Sequence, residues 1–325
     1  MRICPICITA THTNKKTGPA ARYHAVEEPR ERTLLTPQPG MIESALWALA
    51  AAAGLGAAMI TTRLGLRYAS PAAGAAIGVP SSTLVFWCLA PFLLDTAGFN
   101  LGAAGVFALI GLFFPAAVTL LTYTGNQRMG PTIASSISCT TPLFALTGAI
   151  LFLGEGLTAG NVLGTAAIVL GMLALTWSGN ALPRSWPLWA IALPVAAAAL
   201  RALAQVLTKA GLALWANPYA AVLIGYTVSA VVILVATRLR APRQPTDRRA
   251  APWFVATGLL NGASMFLMYT ALAKGKVALV SPIVATYPLF TLALSMLVLR
   301  QERVPSRVAL GAVLTVAGVA VLLVV

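Results

Sequence analysis

An internal repeat constrains this chain more than any other feature. Tyr123-Thr124, Arg128, Pro142-Leu143-Phe144, Glu155, Gly164 and Gly171 return as Tyr269-Thr270, Lys274, Pro288-Leu289-Phe290, Glu302, Gly311 and Gly318. The offset is 146 residues up to the Pro-Leu-Phe triplets and 147 beyond them. Earlier in the chain, Thr62-Arg63-Leu64-Gly65-Leu66 returns as Thr208-Lys209-Ala210-Gly211-Leu212, and Pro71 as Pro218. One chain therefore carries two copies of one unit, and any fold must accommodate both.

The units are too apolar for a soluble domain. Of 325 residues, 58% are hydrophobic and 9% charged, and the mean hydropathy is +0.84, which indicates an integral membrane protein. Ten apolar segments can be placed, at about 43–62, 72–94, 101–124, 131–153, 158–177, 187–208, 218–238, 252–273, 277–299 and 306–325. Each approaches the roughly 20 residues a spanning helix needs. All read as helices, because a strand in lipid would leave its backbone groups unpaired. The expected fold class is an all-α membrane protein of ten transmembrane helices. Five spans per copy is an odd number, so the second copy enters the membrane from the opposite side, giving two inverted five-helix repeats. The first repeat is expected at 41–182 and the second at 183–325.

The net charge of +14 does not point to nucleic acid, since no soluble face interleaves basic and aromatic residues. Loop arginines that orient the chain account for it. Twelve basic residues follow the odd-numbered spans, five of them in Arg238, Arg240, Arg243, Arg248 and Arg249. By the positive-inside rule those loops are cytoplasmic and both termini external. Six basic residues in the polar segment 1–40 oppose that orientation if the segment is present, so the orientation stays open. Segment 1–40 lacks the apolar run of a signal peptide and is expected to be disordered. Met41, at the onset of the apolar region, is an alternative start. Cys4 and Cys7 form a C-x-x-C there without a second pair, weak grounds for metal or redox chemistry. Cys88 and Cys139 lie in expected spans, where a lone thiol is usually a small apolar residue.

The paired pattern resembles the ten-span EamA-type members of the drug/metabolite transporter superfamily. The resemblance covers about 43–325 and rests on the two Pro-Leu-Phe triplets, Glu155 and Glu302, and the glycine pairs. It implies a ten-helix bundle with a central cavity between the halves, moving metabolites, amino acids or toxic organic compounds across the inner membrane, often outward. Small multidrug-resistance relatives use a mid-membrane glutamate for proton coupling. This chain has no Asp or Glu at the centre of a span, which speaks against that coupling.

Several residues are candidates for such a cavity. Arg201 is the one clear charge well inside a span, where charges usually face a cavity or a partner. Gln205 and Thr208 follow on the same helix face. A guanidinium there would bind a carboxylate or phosphate bidentately; the plainer alternative is that it snorkels or pairs with a carbonyl. Pro142 and Pro288 fall near the middle of spans 4 and 9, where a proline removes a backbone hydrogen bond and bends the helix. They are candidate hinges. Ser138, Thr141 and Tyr287 beside them are candidate wall residues, against the ordinary alternative of packing. Tyr226 and Asn261 lie deeper than Tyr123 and Tyr269, which read as interfacial belt residues. Glu155 and Glu302 read as structural, each within reach of an arginine. The glycine pairs read as close-packing positions.

No paired carboxylates, phosphate-cradling loop or intramembrane histidine is present, so neither catalysis nor ATP-driven pumping is expected, and no cofactor or metal. The expectation is a secondary transporter of a small-molecule substrate working by alternating access, an exporter in the inner (plasma) membrane, with the lipid bilayer as surroundings and a homodimer left open. A lipid-linked headgroup flippase, or a non-transporting membrane partner or sensor, are the alternatives.

Overall fold

The computed structural model describes residues 39–129, 137–176, 188–239, 247–299 and 306–324. The tail through residue 38 and the expected boundary at 182/183 lie outside the described residues. The described chain is helical throughout. The first repeat gives α1 (Pro39–Gly65), α2 (Pro71–Leu93), α3 (Leu101–Phe113), α4 (Ala116–Met129), α5 (Thr141–Leu153) and α6 (Ala159–Thr176). After a short 3-10 turn (Leu188–Ile191), the second gives α7 (Ala192–Leu214), α8 (Pro218–Leu239), α9 (Ala250–Lys274), α10 (Val277–Val284), α11 (Tyr287–Leu299) and α12 (Ser306–Val324).

Local chemistry explains the helix starts. Ser70 accepts a hydrogen bond from the Ala73 amide at 3.3 Å, with Pro71 as the first helical residue, where its missing N–H costs nothing. Asn100 caps α3 through the Ala103 amide at 3.0 Å. Asn217 caps α8 through Ala220 at 2.9 Å. At the end of α5, Gly154 takes a left-handed conformation, φ 63°, that a side chain would resist.

Seven helical segments are long and apolar enough to cross a membrane: Gly40–Gly65, Pro71–Leu93, Leu101–Thr122, Trp189–Leu214, Pro218–Leu239, Ala250–Lys274 and Val277–Leu297. Three shorter apolar helices, Thr141–Leu153, Ala159–Leu175 and Val308–Val324, occupy the three remaining expected positions. Three expected spans are interrupted, one of them (131–153) at the turn 139–140 ahead of α5. Between α3 and α4 the chain is extended at Phe114. The Ala116 amide freed there donates to Ser229 Oγ of α8 at 3.0 Å, so the break leaves that group satisfied away from water. The last interruption separates α10 from α11 at Ala285–Thr286.

The helices pack in equivalent pairs. α1 lies on α9 as α7 lies on α3 and α4; α2 lies on α9 as α8 lies on α3; α1 meets α10 and α11 as α7 meets α5. α2 against α8 and α6 against α12 are their own counterparts. Glycines make the tightest crossings. A Cβ on Gly171 would stand 2.7 Å from the Gly311 carbonyl oxygen, and one on Gly318 2.8 Å from that of Gly164. Gly164 thus opposes Gly318 and Gly171 opposes Gly311, so α6 and α12 run antiparallel. These glycines pack the two repeats against each other by close backbone approach. Elsewhere, Gly78 meets Gly258 as Gly225 meets Gly111, and Phe254 fills the space over Gly65 as Phe107 fills that over Gly211.

Candidate functional site

Helix α7 carries the polar centre of the bundle. Its alanine-rich first half lets neighbours approach closely, and its later turns present Arg201, Gln205, Thr208 and Lys209. Arg201 lies near the middle of the Trp189–Leu214 span and is half-buried. The phenol of Tyr287, the first residue of α11, is close enough to feel its charge. Among the described residues Arg201 makes no hydrogen bond and no ion pair. A desolvated cation without a partner is costly, so its environment is suited to a group that arrives from outside.

One turn on, Gln205 is 2% exposed. Its amide nitrogen reaches only Met268 Sδ at 3.9 Å, and its Oε1 has no partner among the described residues. Thr208 Oγ1 is likewise buried, with the Tyr269 phenol as its near polar neighbour. Tyr226 neighbours Tyr269 and sets its ring edge-on to Phe86, centroids 5.4 Å apart. One turn into α10, Ser281 Oγ is also buried without a partner. Buried polar atoms normally find partners, so such a group of unsatisfied oxygens needs a reason. α7 thus carries a positive charge and buried polar side chains, with Tyr269 and Tyr287 within electrostatic reach.

The expected site residues divide. Arg201 meets Tyr287, and Gln205 is linked through Met268 to the α9 segment that bears Tyr269 and so to Tyr226. Asn261 sits two turns below Tyr269 on α9, half-buried, without a hydrogen bond among the described residues. Ser138 and Thr141 are buried beside the break before α5, where Thr141 Oγ1 donates to the Ser138 carbonyl at 2.7 Å. Pro142 and Pro288 do not bend continuous helices as expected: each is the second residue of a new helix, α5 and α11. The turns before them match. Thr140 Oγ1 donates to the Ile137 carbonyl and Thr286 Oγ1 to the Ile283 carbonyl, both at 2.7 Å. Hydroxyls satisfy carbonyls at each break, and proline, lacking an N–H, is at no cost at a helix start.

Sequence reasoning undervalued three residues. Tyr269 is 4% exposed, covered by α7, and not a belt residue. Glu155 does not pair with an arginine. Its Oε1 accepts from the Val277 amide at 2.9 Å and its Oε2 from the Ala278 amide at 3.1 Å, capping α10. Lys209 donates to the Leu272 and Gly275 carbonyls at 2.7 and 2.8 Å. Its recurrence as Arg63 in the first repeat was the available signal. The Tyr123 side chain and Glu302 lie outside the described residues. Separately, an apolar cleft between α5 and α7 is lined by Phe144, Thr147, Gly148, Phe152, Ala199 and Leu203.

Fold and site together define a polytopic helical membrane protein with a polar helix face centred on Arg201, which has no hydrogen-bond or ion-pair partner among the described residues. The EamA-like transporter family model matches twice, over residues 43–177 and 188–324, and the chain belongs to that family. No curated protein matches the chain. Of 29 solved chains that match, one crystal structure aligns with a TM-score of 0.73 over 86% of this chain and 95% of the other. At 16% identity that likeness is one of fold alone.

Proposed function

We propose that this protein is a secondary transporter of a small anionic or zwitterionic solute, exporting it across the inner membrane by alternating access. Membership of a transporter family supports the general activity. In this reading the three shorter apolar helices complete ten spans. The two repeats lie inverted in the membrane, a reading supported by the antiparallel register of Gly164/Gly318 and Gly171/Gly311. The two halves rock about the polar centre, and the breaks before Pro142 and Pro288 supply the joints on which the α5 and α11 walls move.

The observation that carries the proposal is Arg201, half-buried in mid-span with no partner among the described residues. A carboxylate or phosphate would pair with it. Gln205 Oε1, Thr208 and Ser281 would accept hydrogen bonds from donors on the same solute, and Tyr226, Tyr269 and Tyr287 would supply its walls. The absence of a mid-span carboxylate argues against the proton coupling of the small multidrug-resistance relatives. The test is uptake of candidate solutes by proteoliposomes. Uptake is expected to collapse in Arg201→Ala while the protein remains folded; unchanged uptake would remove Arg201 from the site.

One observation keeps the flippase alternative in view. The apolar cleft between α5 and α7 faces outward from the same helix that carries Arg201, a place where an acyl chain would lie while its headgroup crossed. Competition of solute uptake by short-chain lipid-linked headgroups separates the two readings.

A further inference from the structure

We infer that Glu155 and Lys209 form a closed gate over one end of the solute path, an inference that rests on the transport reading. The two side chains clamp the two sides of a single turn. Lys209 binds the Leu272 and Gly275 carbonyls at 2.7 and 2.8 Å, where the carboxyl end of α9 is negative. Glu155 binds the Val277 and Ala278 amides at 2.9 and 3.1 Å, where the amino end of α10 is positive. Each charge thus complements a helix dipole, and the two attract each other. They come from different repeats, so the clamp ties the halves together.

Its position bears on the path. Lys209 follows Thr208 directly, and eight residues of helix, roughly 12 Å at 1.5 Å per residue, separate it from Arg201. Ser281, buried and unpartnered, lies one turn of α10 inside the clamp. The repeat counterpart of Lys209 is Arg63, at the opposite end of the bundle. The ends are assigned by the approach of Gly275, just past α9, to Ser44 near the start of α1. Arg63 is exposed and makes no hydrogen bond or ion pair among the described residues. Among the described residues only Lys209 of these two cations is engaged. The clamp holds the Lys209 end shut, and access at that end requires release of the 274–277 turn.

A cysteine reporter tests this without knowledge of the solute. Ser281→Cys is placed in a background with Cys4, Cys7, Cys88 and Cys139 replaced, and its reaction with a water-soluble maleimide is followed in permeabilised proteoliposomes. Labelling is expected to be slow. Glu155→Gln and Lys209→Met are each expected to speed it at least about tenfold, the change that loss of one charge-assisted hydrogen bond produces. Lys209→Arg keeps labelling slow, and Arg63→Met leaves it unchanged. A second reporter, Thr165→Cys, buried on α6 beside the α12 crossing, stays slow throughout. Unchanged rates in both gate variants overturn the inference. So does equal acceleration by Arg63→Met, or acceleration at Thr165→Cys as well, which would mean general loosening. A failed gate leaves the Arg201→Ala uptake test standing, and a protein inert to solutes can still show the gate.

Discussion

The residues that hold the two repeats together come in equivalent pairs, whereas only some of those that would meet a solute do. Gly78 with Gly258 answers Gly225 with Gly111, and Phe254 over Gly65 answers Phe107 over Gly211. At the polar centre the correspondence is partial: Thr208, Tyr269 and Ser281 recur as Thr62, Tyr123 and Ser135, but the charge and its nearest partners do not recur. The repeat places Leu55 opposite Arg201, Met59 opposite Gln205, Val79 opposite Tyr226 and Thr141 opposite Tyr287. Shared backbone geometry requires small residues and ring plugs at both ends of each crossing, because a close approach tolerates nothing larger. A binding site carries no such requirement. Its chemistry can be concentrated in one copy while the other supplies apolar walls.

This contrast sets the expected effects of substitution. The paired plugs come first: Phe107→Ala and Phe254→Ala should each destabilise by about 3–5 kcal/mol, by similar amounts, in thermal unfolding of detergent-purified protein. A large inequality between them would mean that the two repeats do not share their packing. The paired cations come next. Lys209→Met should cost about 1.5–3 kcal/mol for its two carbonyl contacts, and Arg63→Met less than about 0.5 kcal/mol as a surface change; denaturation midpoints of the two variants decide this. The smallest differences are at glycines. Gly171→Ala and Gly318→Ala should each cost about 1–3 kcal/mol by overpacking. Gly105→Ala, with nothing near its Cβ position, should stabilise by about 0.5–1 kcal/mol through lower chain entropy. Equal unfolding temperatures for Gly171→Ala and Gly105→Ala would contradict the antiparallel glycine crossing.

The paired part of the molecule was readable before any coordinates. A fixed offset reports positions under the same geometric demand, so Gly164, Gly171, Gly311 and Gly318 declared a close contact, although not that they meet each other. Of the ten apolar segments, seven correspond to helices long and apolar enough to span and three to shorter apolar helices. The interruptions were harder to read. Pro115 sits in an apolar run and resembles a tolerated kink until Ser229, 113 positions away in sequence, is seen to satisfy the freed amide. Pro142 and Pro288 looked like bends because nothing local shows that Thr140 and Thr286 close a turn ahead of them. The partners of Glu155 and Lys209 are main-chain groups, which every residue carries, so side-chain matching cannot find them. Tyr269 stands near the end of α9, where position in the chain suggests an interface; only the packing of α7 over it shows otherwise. Arg201 was conspicuous from the start, because a charge inside an apolar run has few neutral explanations.

The central claim is that a paired scaffold holds a solute site centred on Arg201, a cation with no counterpart in the first repeat. It is tested most directly by thermal unfolding of the detergent-purified protein and of Arg201→Leu, the residue type found at the equivalent position of the first repeat, against a panel of carboxylate- and phosphate-bearing solutes. A solute at about 100 times its dissociation constant should stabilise the unsubstituted protein by about 2.7 kcal/mol. Arg201→Leu should lose that shift while unfolding, without solute, at an unchanged or higher temperature. A solute-dependent shift that survives in Arg201→Leu would contradict the account.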